Sequence, residues 1–390
     1  MLKIAIVGTG NISQLHADAI LAMGSRAKVV ALCDIYIEKA EFLKSKFSFN
    51  EAKTFASHEE MLASGVEIDL VHVCTPPSSH AEIAINCMNA GVNALVEKPM
   101  APSLAECDAM LEAERKSGAV LAMIAQNRFR DDNWRLKKLV DSGAAGRVLV
   151  AHIDSYWYRG RPYYDLWWRG TWEKEGGGPT LNHAVHQIDM LNWIKGELPV
   201  EVSSMLANVA HDNSEVEDIS FSAAKYKDGT IAEITGSVVH HGEGQSVTLQ
   251  CEKAKIQAPW SMVAESPNPD GGFPSGKKNE EAQNALNEAY EAVPELKFTG
   301  HAGEIDNVYA ALENGTRPLI TGVDGKRTVE LITAIYKAGF EKRTVSLPIT
   351  PEDEYYRQEG ILKNAIHFYE KTSSVENFGS IDISTGNYKR

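Results

Sequence analysis

Short apolar runs alternate with helix-period segments over the first 125 residues. Runs at 3–7, 29–33, 70–74, 93–97 and 120–125 read as strands, and segments near 12–23, 36–46, 79–90 and 103–117 read as helices. That alternation predicts a parallel sheet with crossover helices. The runs 70–74 and 93–97 are mostly apolar, as strands buried on both faces are. Beyond Gln126 the pattern changes, and residues 156–178 are aromatic and glycine-rich. A helix is predicted over 180–194, followed by alternating segments at 200–210, 217–226, 230–239 and 245–251, with Asp228-Gly229 as a hairpin turn. Residues 264–280 read as a loop, helices resume near 301–314 and 325–340, and one more helical stretch lies near 352–371. The expected organisation is an α/β chain: a Rossmann domain over 1–125, an α+β domain with a large, mostly antiparallel open sheet over 126–350, and an extension over 351–390.

Composition narrows the possible partners. The net charge of −14 repels nucleic acid and anionic membrane surfaces, so neither is expected as a partner. No apolar run approaches the roughly 20 residues of a membrane span, and the start reads as a strand rather than a signal peptide. Five scattered cysteines, Cys33, Cys74, Cys87, Cys107 and Cys251, suit free thiols in a reducing cytoplasm better than disulfides or a metal site.

The first chemical signal is Gly8-Thr9-Gly10, which follows a strand and opens a helix at Asn11-Ile12. The first glycine permits a tight turn, and the second lets the backbone approach a pyrophosphate on the helix N-terminus. Ser13 replaces the third glycine of the usual pattern, a small residue in a packing position. Asp34 ends the second strand at the spacing of an acid that bonds the adenosine ribose. A carboxylate there repels a 2′-phosphate and no basic residue directly follows, so NAD is favoured over NADP.

Two further segments lie where ligands bind open α/β sheets, at the carboxyl ends of strands. Cys74-Thr75-Pro76-Pro77 leads to His80, and Glu97-Lys98-Pro99 aims Lys98 at the cofactor crevice. Pro99 can fix the backbone there through a cis bond. Gly176-Gly177-Gly178-Pro179 then opens the helix that carries Asn182, His186 and Asp189 on a polar face, with Asn182 and His186 side by side at i, i+4. Taken singly, Lys98 would be a solvated lysine and His186 a structural histidine.

Together these segments, with Gln126-Asn127-Arg128-Phe129 and Trp168-Arg169-Gly170-Thr171-Trp172, resemble the glucose–fructose oxidoreductase / inositol dehydrogenase (Gfo/Idh/MocA) family over about residues 1–350. The resemblance implies that Lys98 and His186 are catalytic, with Asn182 beside them, and that Glu97 and Pro76 line the nicotinamide-ribose side. It implies a cofactor site of Gly8, Thr9, Gly10, Asn11, Ile12, Asp34, Thr75, Pro76, His80, Glu97 and Lys98. It also implies a second-domain sheet that carries the substrate face and the subunit interface, hence a homodimer or homotetramer. Many relatives have Asp where Asn182 stands; asparagine cannot raise the basicity of His186, but it can bond a hydroxyl.

The expected reaction is oxidation of a secondary alcohol of a sugar, glycoside or cyclitol. His186 would act as base and Lys98 as donor to the developing alkoxide. Arg128, Tyr164, Asp165, Trp168, Arg169 and His186 are the candidate substrate residues, with core or interface packing an equal alternative for the aromatic stretch. His240-His241 also reads as a loop that could face the substrate, and no third metal ligand stands at useful spacing. Competing readings are a redox-neutral NAD-dependent glycoside hydrolase or lyase and a non-catalytic nucleotide-binding regulator. The extension over 351–390 would either wrap a neighbouring subunit or stand solvated.

Overall fold

The computed structural model describes residues 1–274, 276 and 278–376. Its first sheet is parallel, with strands side by side in the order Lys53–Phe55, Ala27–Cys33, Leu2–Val7, Leu70–Val73, Asn93–Val96, Leu121–Met123. The four strands from Leu2–Val7 to Leu121–Met123 bury almost every side chain, which is why they read as unbroken apolar runs. The edge strand Lys53–Phe55 and the short helix His58–Ala63 have no such signal and were not expected. Strand order reverses between Leu2–Val7 and Leu70–Val73, so a crevice opens at their carboxyl ends. Gly8 sits there with φ +88°, and a Cβ would come within 2.6 Å of the Cys74 carbonyl carbon. Only glycine fits this approach. Helix Gly300–Asn314, far along the chain, packs back on helix Asn11–Ala22 beside this sheet.

The second sheet is mostly antiparallel, in the order Ser261–Val263, Lys255–Ala258, Val239–Cys251, Val148–Tyr158, Ile231–Ser237, Ile219–Lys225, Glu201–Ala207, Val345–Ser346. Its one parallel pair joins Val148–Tyr158 to Ile231–Ser237. The Asp228-Gly229 turn links two antiparallel strands as expected, with Gly229 at φ +89°. Helices Val185–Lys195 and Gly322–Glu341 cover one face. Alternation along Ile219–Lys225 puts Ser220, Ser222 and Ala224 inside and leaves Phe221 outside.

Several elements differ from the sequence pattern. The central strand Val148–Tyr158 begins before the aromatic segment and continues into it. Helices Asp131–Asp141 and Glu280–Glu291 were not expected, since both are dominated by charged and polar residues. His240 and His241 lie within strand Val239–Cys251 rather than in a loop, stacked on Tyr156 at 4.3 Å and Tyr158 at 4.4 Å. The helix expected over 180–194 is two helices, Pro179–Asn182 and Val185–Lys195. Buried Glu217 pulls the first turn inward by accepting the Gly178 and Thr180 N–H groups, each at 3.1 Å. The His183 and Ala184 N–H groups then both close on the Pro179 carbonyl, which breaks the ladder.

The expected helix near 352–371 shrinks to Gln358–Asn364, and residues 365–376 run extended across the aromatic segment of the same chain. Trp172 Nε1 donates to the Ile366 carbonyl at 3.0 Å, and the Trp167 and Val375 N–H groups bond the Val375 and Asp165 carbonyls. As far as Glu376, then, the extension is neither a solvated tail nor an arm given wholly to a neighbour; residues 377–390 lie outside the described residues. Asn213, fully buried, is the clasp. Its Oδ1 accepts from the Thr372 and Ser373 N–H groups at 2.9 and 3.0 Å, and its Nδ2 donates to the Ser373 carbonyl and the Asp165 carboxylate at 3.0 and 3.1 Å. Asn213→Ala strands these groups and should destabilise the fold by about 3 kcal/mol, read as a lower urea midpoint at unchanged slope.

Candidate functional site

One cleft of about 2210 Å³ runs from the glycine turn to the aromatic segment. At its nucleotide end, helix Asn11–Ala22 starts at Gly10 without a side-chain cap, so its first N–H groups are free for an anion. A Cβ on Gly10 would meet nothing within 4 Å, which leaves the backbone open to a pyrophosphate. Ser13 is buried and its hydroxyl donates to the Gly10 carbonyl at 2.6 Å, so it braces the turn where glycine is usual. Asp34 Oδ2 accepts the Thr9 N–H and hydroxyl at 2.8 and 3.0 Å, and Oδ1 accepts the Tyr36 N–H at 3.0 Å. The acid is therefore held at the cleft wall beside the turn, with Asn11, Ile12, Thr75 and Pro76 on the same wall. These residues fit a dinucleotide with free ribose hydroxyls.

His80, placed in the cofactor site by sequence, is instead a clamp behind it. It is fully buried, with Nδ1 2.9 Å from the Pro99 carbonyl and Nε2 2.8 Å from the Thr75 carbonyl. It ties the two strand-end loops together and does not reach the cleft wall.

Glu97 is the buried hub of the site. Its Oε1 lies 3.0 Å from His16 Nε2 and 3.3 Å from His301 Nε2, and Oε2 accepts the Lys98 N–H at 3.1 Å. Burial opposes its ionisation, but the His16 and His301 bonds outweigh that and hold the carboxyl well below the usual range. His72 completes the network, its Nδ1 2.9 Å from His16 Nδ1. The ligand atoms of His16, Glu97 and His301 lie within 4.8 Å of one another, a trio with metal-binding chemistry. Sequence reading missed it because His16 and His301 stand 81 and 204 residues from Glu97. Direct hydrogen bonds already join the three.

Lys98 follows Glu97 and precedes a cis peptide bond to Pro99. Its Nζ donates to the Asn182 carbonyl at 3.3 Å, and burial lowers its pKa. His186, on the same cleft wall, is 5% exposed, and its Nδ1 has no partner among the described residues. Burial, then the Lys98 charge, holds its imidazole well below the ordinary value, which favours the neutral form. Asn182 lines the cleft, but its amide Nδ2 turns back to the Gly177 and Gly178 carbonyls at 2.8 and 3.3 Å. The helix breaks after Asn182, whose amide fixes the glycine approach and whose carbonyl holds Lys98, and Asn182 and His186 both line the cleft.

Of the substrate candidates, Trp168, Arg169 and His186 line the cleft and three others do not. Arg128 is buried in a two-pronged ion pair, with Nε 2.8 Å and Nη2 2.7 Å from the Asp189 carboxylate, and it also reaches Asp324. Tyr164 is 2% exposed and packs against His211 at 4.7 Å. Asp165 is turned toward Asn213 and the C-terminal extension. The aromatic run alternates between cleft and core, and composition alone could not say which residue faced which way. Its cleft-facing members are joined by Trp157, Arg159, Tyr163 and His183, none of which had been singled out for a role; the interleaving of arginine with aromatic residues was the available signal.

Comparison with known proteins agrees with this geometry. Residues 2–125 match the model described as "Oxidoreductase family, NAD-binding Rossmann fold", and residues 134–257 match the "GFO/IDH/MocA C-terminal domain". The chain belongs to the Gfo/Idh/MocA family. It is 29% identical over 197 residues to inositol 2-dehydrogenase of Salmonella paratyphi B (strain ATCC BAA-1250 / SPB7), which covers 50% of this chain and 55% of that protein. The chain thus spans about half the length of this relative. It is 26% identical over 379 residues to 2,7-anhydro-N-acetylneuraminate hydratase of Mediterraneibacter gnavus (strain ATCC 29149 / DSM 114966 / JCM 6515 / VPI C7-9), covering 88% of this chain and 96% of that one. Among solved structures it is similar to the WlbA dehydrogenase from Bordetella pertussis in complex with NADH and UDP-GlcNAcA, at TM-score 0.75 and 27% identity over 90% of this chain and 99% of that chain.

The reassignment of Arg128 is testable. Arg128→Met leaves Asp189 buried without its partner and should destabilise the fold by about 3–5 kcal/mol. Arg128→Met with Asp189→Leu should recover most of that loss in urea unfolding, whereas a substrate-binding arginine would show no such rescue.

Proposed function

We propose that this chain is an NAD-dependent dehydrogenase that oxidises a secondary alcohol of a sugar, glycoside or cyclitol to a ketone. The observation that carries the reading is that a partly buried lysine and a buried histidine, Lys98 and His186, line the same cleft as the glycine turn and Asp34. The relatives named as inositol 2-dehydrogenase and WlbA dehydrogenase support the class of substrate.

The glycine turn, the free N–H groups of helix Asn11–Ala22 and Asp34 would hold the dinucleotide. When bound, nicotinamide supplies the hydride acceptor. The protein does the rest. His186 takes the hydroxyl proton, which its neutral state allows. Lys98 donates to the same oxygen and stabilises the developing alkoxide. Glu97 positions Lys98 through its backbone N–H, and Asn182 positions the ammonium through its carbonyl. Trp167 offers an apolar face for the C–H surface of a ring.

The hydratase relative favours a second reading, in which oxidation is transient and the cofactor is reduced and reoxidised within one turnover. Net NADH accumulation at 340 nm separates the two: the dehydrogenase accumulates it and the redox-neutral enzyme does not. Five buried free cysteines suit a reducing, cytoplasmic setting. Among the described residues no helix is long and apolar enough to cross a membrane. The uncovered face of the second sheet exposes Met205, Phe221 and Ile231 at 77%, 50% and 51%, a patch that suits a homodimer or homotetramer. Light scattering should report more than one chain per particle, and Phe221→Lys should shift it toward the monomer.

Lys98→Met and His186→Ala should each lower kcat by about 10³-fold or more while sparing NADH affinity. In the parent protein kcat/KM should fall on the acid side only below the ordinary imidazole pKa, because burial and Lys98 lower that of His186. It should fall on the alkaline side below the ordinary lysine value, because burial lowers that of Lys98. Near-parental turnover in either variant overturns the assignment.

A further inference from the structure

Cations line the reaction end of the cleft in a protein of net charge −14: Lys98, Arg159 and Arg169, with Arg130 and Lys174 on the same lining. The Arg159 and Arg169 guanidiniums lie on the same ring, 5.3 and 4.1 Å from the centre of Tyr163. Arg159 also covers Trp157 at 5.3 Å, and Arg169 covers Trp168 at 4.1 Å. A guanidinium held over an aromatic ring keeps N–H groups for a planar or tetrahedral anion, although Arg159 also bonds the Tyr163 hydroxyl.

Those N–H groups are underused. Arg159 donates to the Tyr158 carbonyl at 3.0 Å and reaches Glu243 only at 3.4 Å. Arg169 donates to Glu175 at 2.7 Å. The Nε atoms of both arginines are buried without a partner among the described residues. His183 stands beside them, edge-on to Trp157 at 5.6 Å and only 7% exposed. Its Nδ1 likewise has no partner, and it lines the same cleft. Buried donors and acceptors left open on a cleft wall call for a ligand that completes them.

The carboxylates nearby do not cancel this field. Glu97 is committed to His16 and His301, and Glu175 is buried behind Arg169, off the cleft wall. Asp131, Asp132 and Asp154 on the same lining are taken up by the Leu296 N–H, by Tyr290 and Trp260, and by Tyr156 and Ser246. Glu243 and Glu376 share the wall, and Glu243 holds Arg159 at the limit of hydrogen-bond length, where a ligand anion can replace it.

We propose that this end of the cleft is an anion subsite: Arg159 and Arg169 grip a carboxylate or phosphate on the substrate ring, and His183 bonds a neighbouring hydroxyl. The natural substrate is then an acidic sugar or cyclitol, a uronate or a sugar phosphate, rather than a neutral polyol. The position of the reacting hydroxyl rests on the dehydrogenase reading; the anion subsite is testable without it.

The test is calorimetric titration of the NADH complex with glucose, glucuronate and glucose 6-phosphate. At least one of the two acids should bind ten-fold or more tightly than glucose, and 0.5 M NaCl should narrow the gap. Preference for glucuronate alone assigns a carboxylate, and preference for glucose 6-phosphate alone assigns a phosphate. Arg159→Met should bring the preferred acid to parity with glucose while NADH affinity stays within about twofold. Arg159→Lys should retain part of the preference, since it keeps the charge and loses the fork. If neither acid outbinds glucose, or if the preference survives Arg159→Met, the proposal fails. If the acids are preferred yet no compound yields NADH, the dehydrogenase reading fails and the subsite stands.

Discussion

Everything at the reaction end of the cleft depends on one buried carboxylate. Glu97 joins three elements distant in sequence: helix Asn11–Ala22 through His16, the end of strand Asn93–Val96, and helix Gly300–Asn314 through His301. An ion in that position is tolerable only while its partners are present, because a buried charge left unpaired costs several kcal/mol. The glycine turn, Lys98 and the helix that closes the first sheet are therefore locked in one arrangement. The Lys98 N–H, 3.1 Å from the same carboxylate, makes that lock act directly on the proposed catalytic ammonium.

The parts of this arrangement that were legible in the sequence are those written in short-range pattern. Buried parallel strands announce themselves as apolar runs. Gly8 is required by a backbone approach of 2.6 Å, and Asp34 falls at the strand end that the turn faces. Lys98 and His186 were singled out by motif, and both line the cleft. What stayed hidden was set by contacts between remote segments. His16 and His301 are unremarkable locally and meaningful only beside Glu97. Arg128 and Asp189 were visible as polar residues in conspicuous motifs, but not that they would neutralise each other in the core.

A similar logic explains why the helix after the glycines was misread. The spacing of Leu181, Val185 and Ile188 fits one continuous helix, and the apolar stripe is real. It is broken from outside, because Glu217 and Tyr336 draw the Gly178–Thr180 turn into the core. Gly178 is obligatory there, since a Cβ would stand 2.0 Å from the Glu217 carbonyl oxygen. The break redirects the Asn182 amide to the glycine carbonyls and frees its own carbonyl for Lys98. The same aromatic stretch that walls the cleft is fastened from behind by residues 365–376, so the extension contributes to the shape of the site without forming its reacting part.

Asn182 sharpens how the proposed pair would work. A carboxylate at that position would raise the basicity of His186 and hold its protonated form. Here the nearest influence on His186 after burial is the positive charge of Lys98, which opposes protonation. Two groups that each can carry a proton, close together and shielded from water, do not titrate independently. Protonating His186 beside a charged Lys98 costs more than protonating either alone. A proton taken from a substrate hydroxyl by His186 therefore weakens the hold of Lys98 on its own. That lets the ammonium share its proton most strongly with the developing alkoxide, at the moment the oxygen becomes basic enough to accept it. On this argument the missing carboxylate does not disable the site: it leaves His186 a weaker base, and the Lys98 ammonium, whose proton is held less tightly once His186 is charged, offsets that by stabilising the alkoxide more strongly.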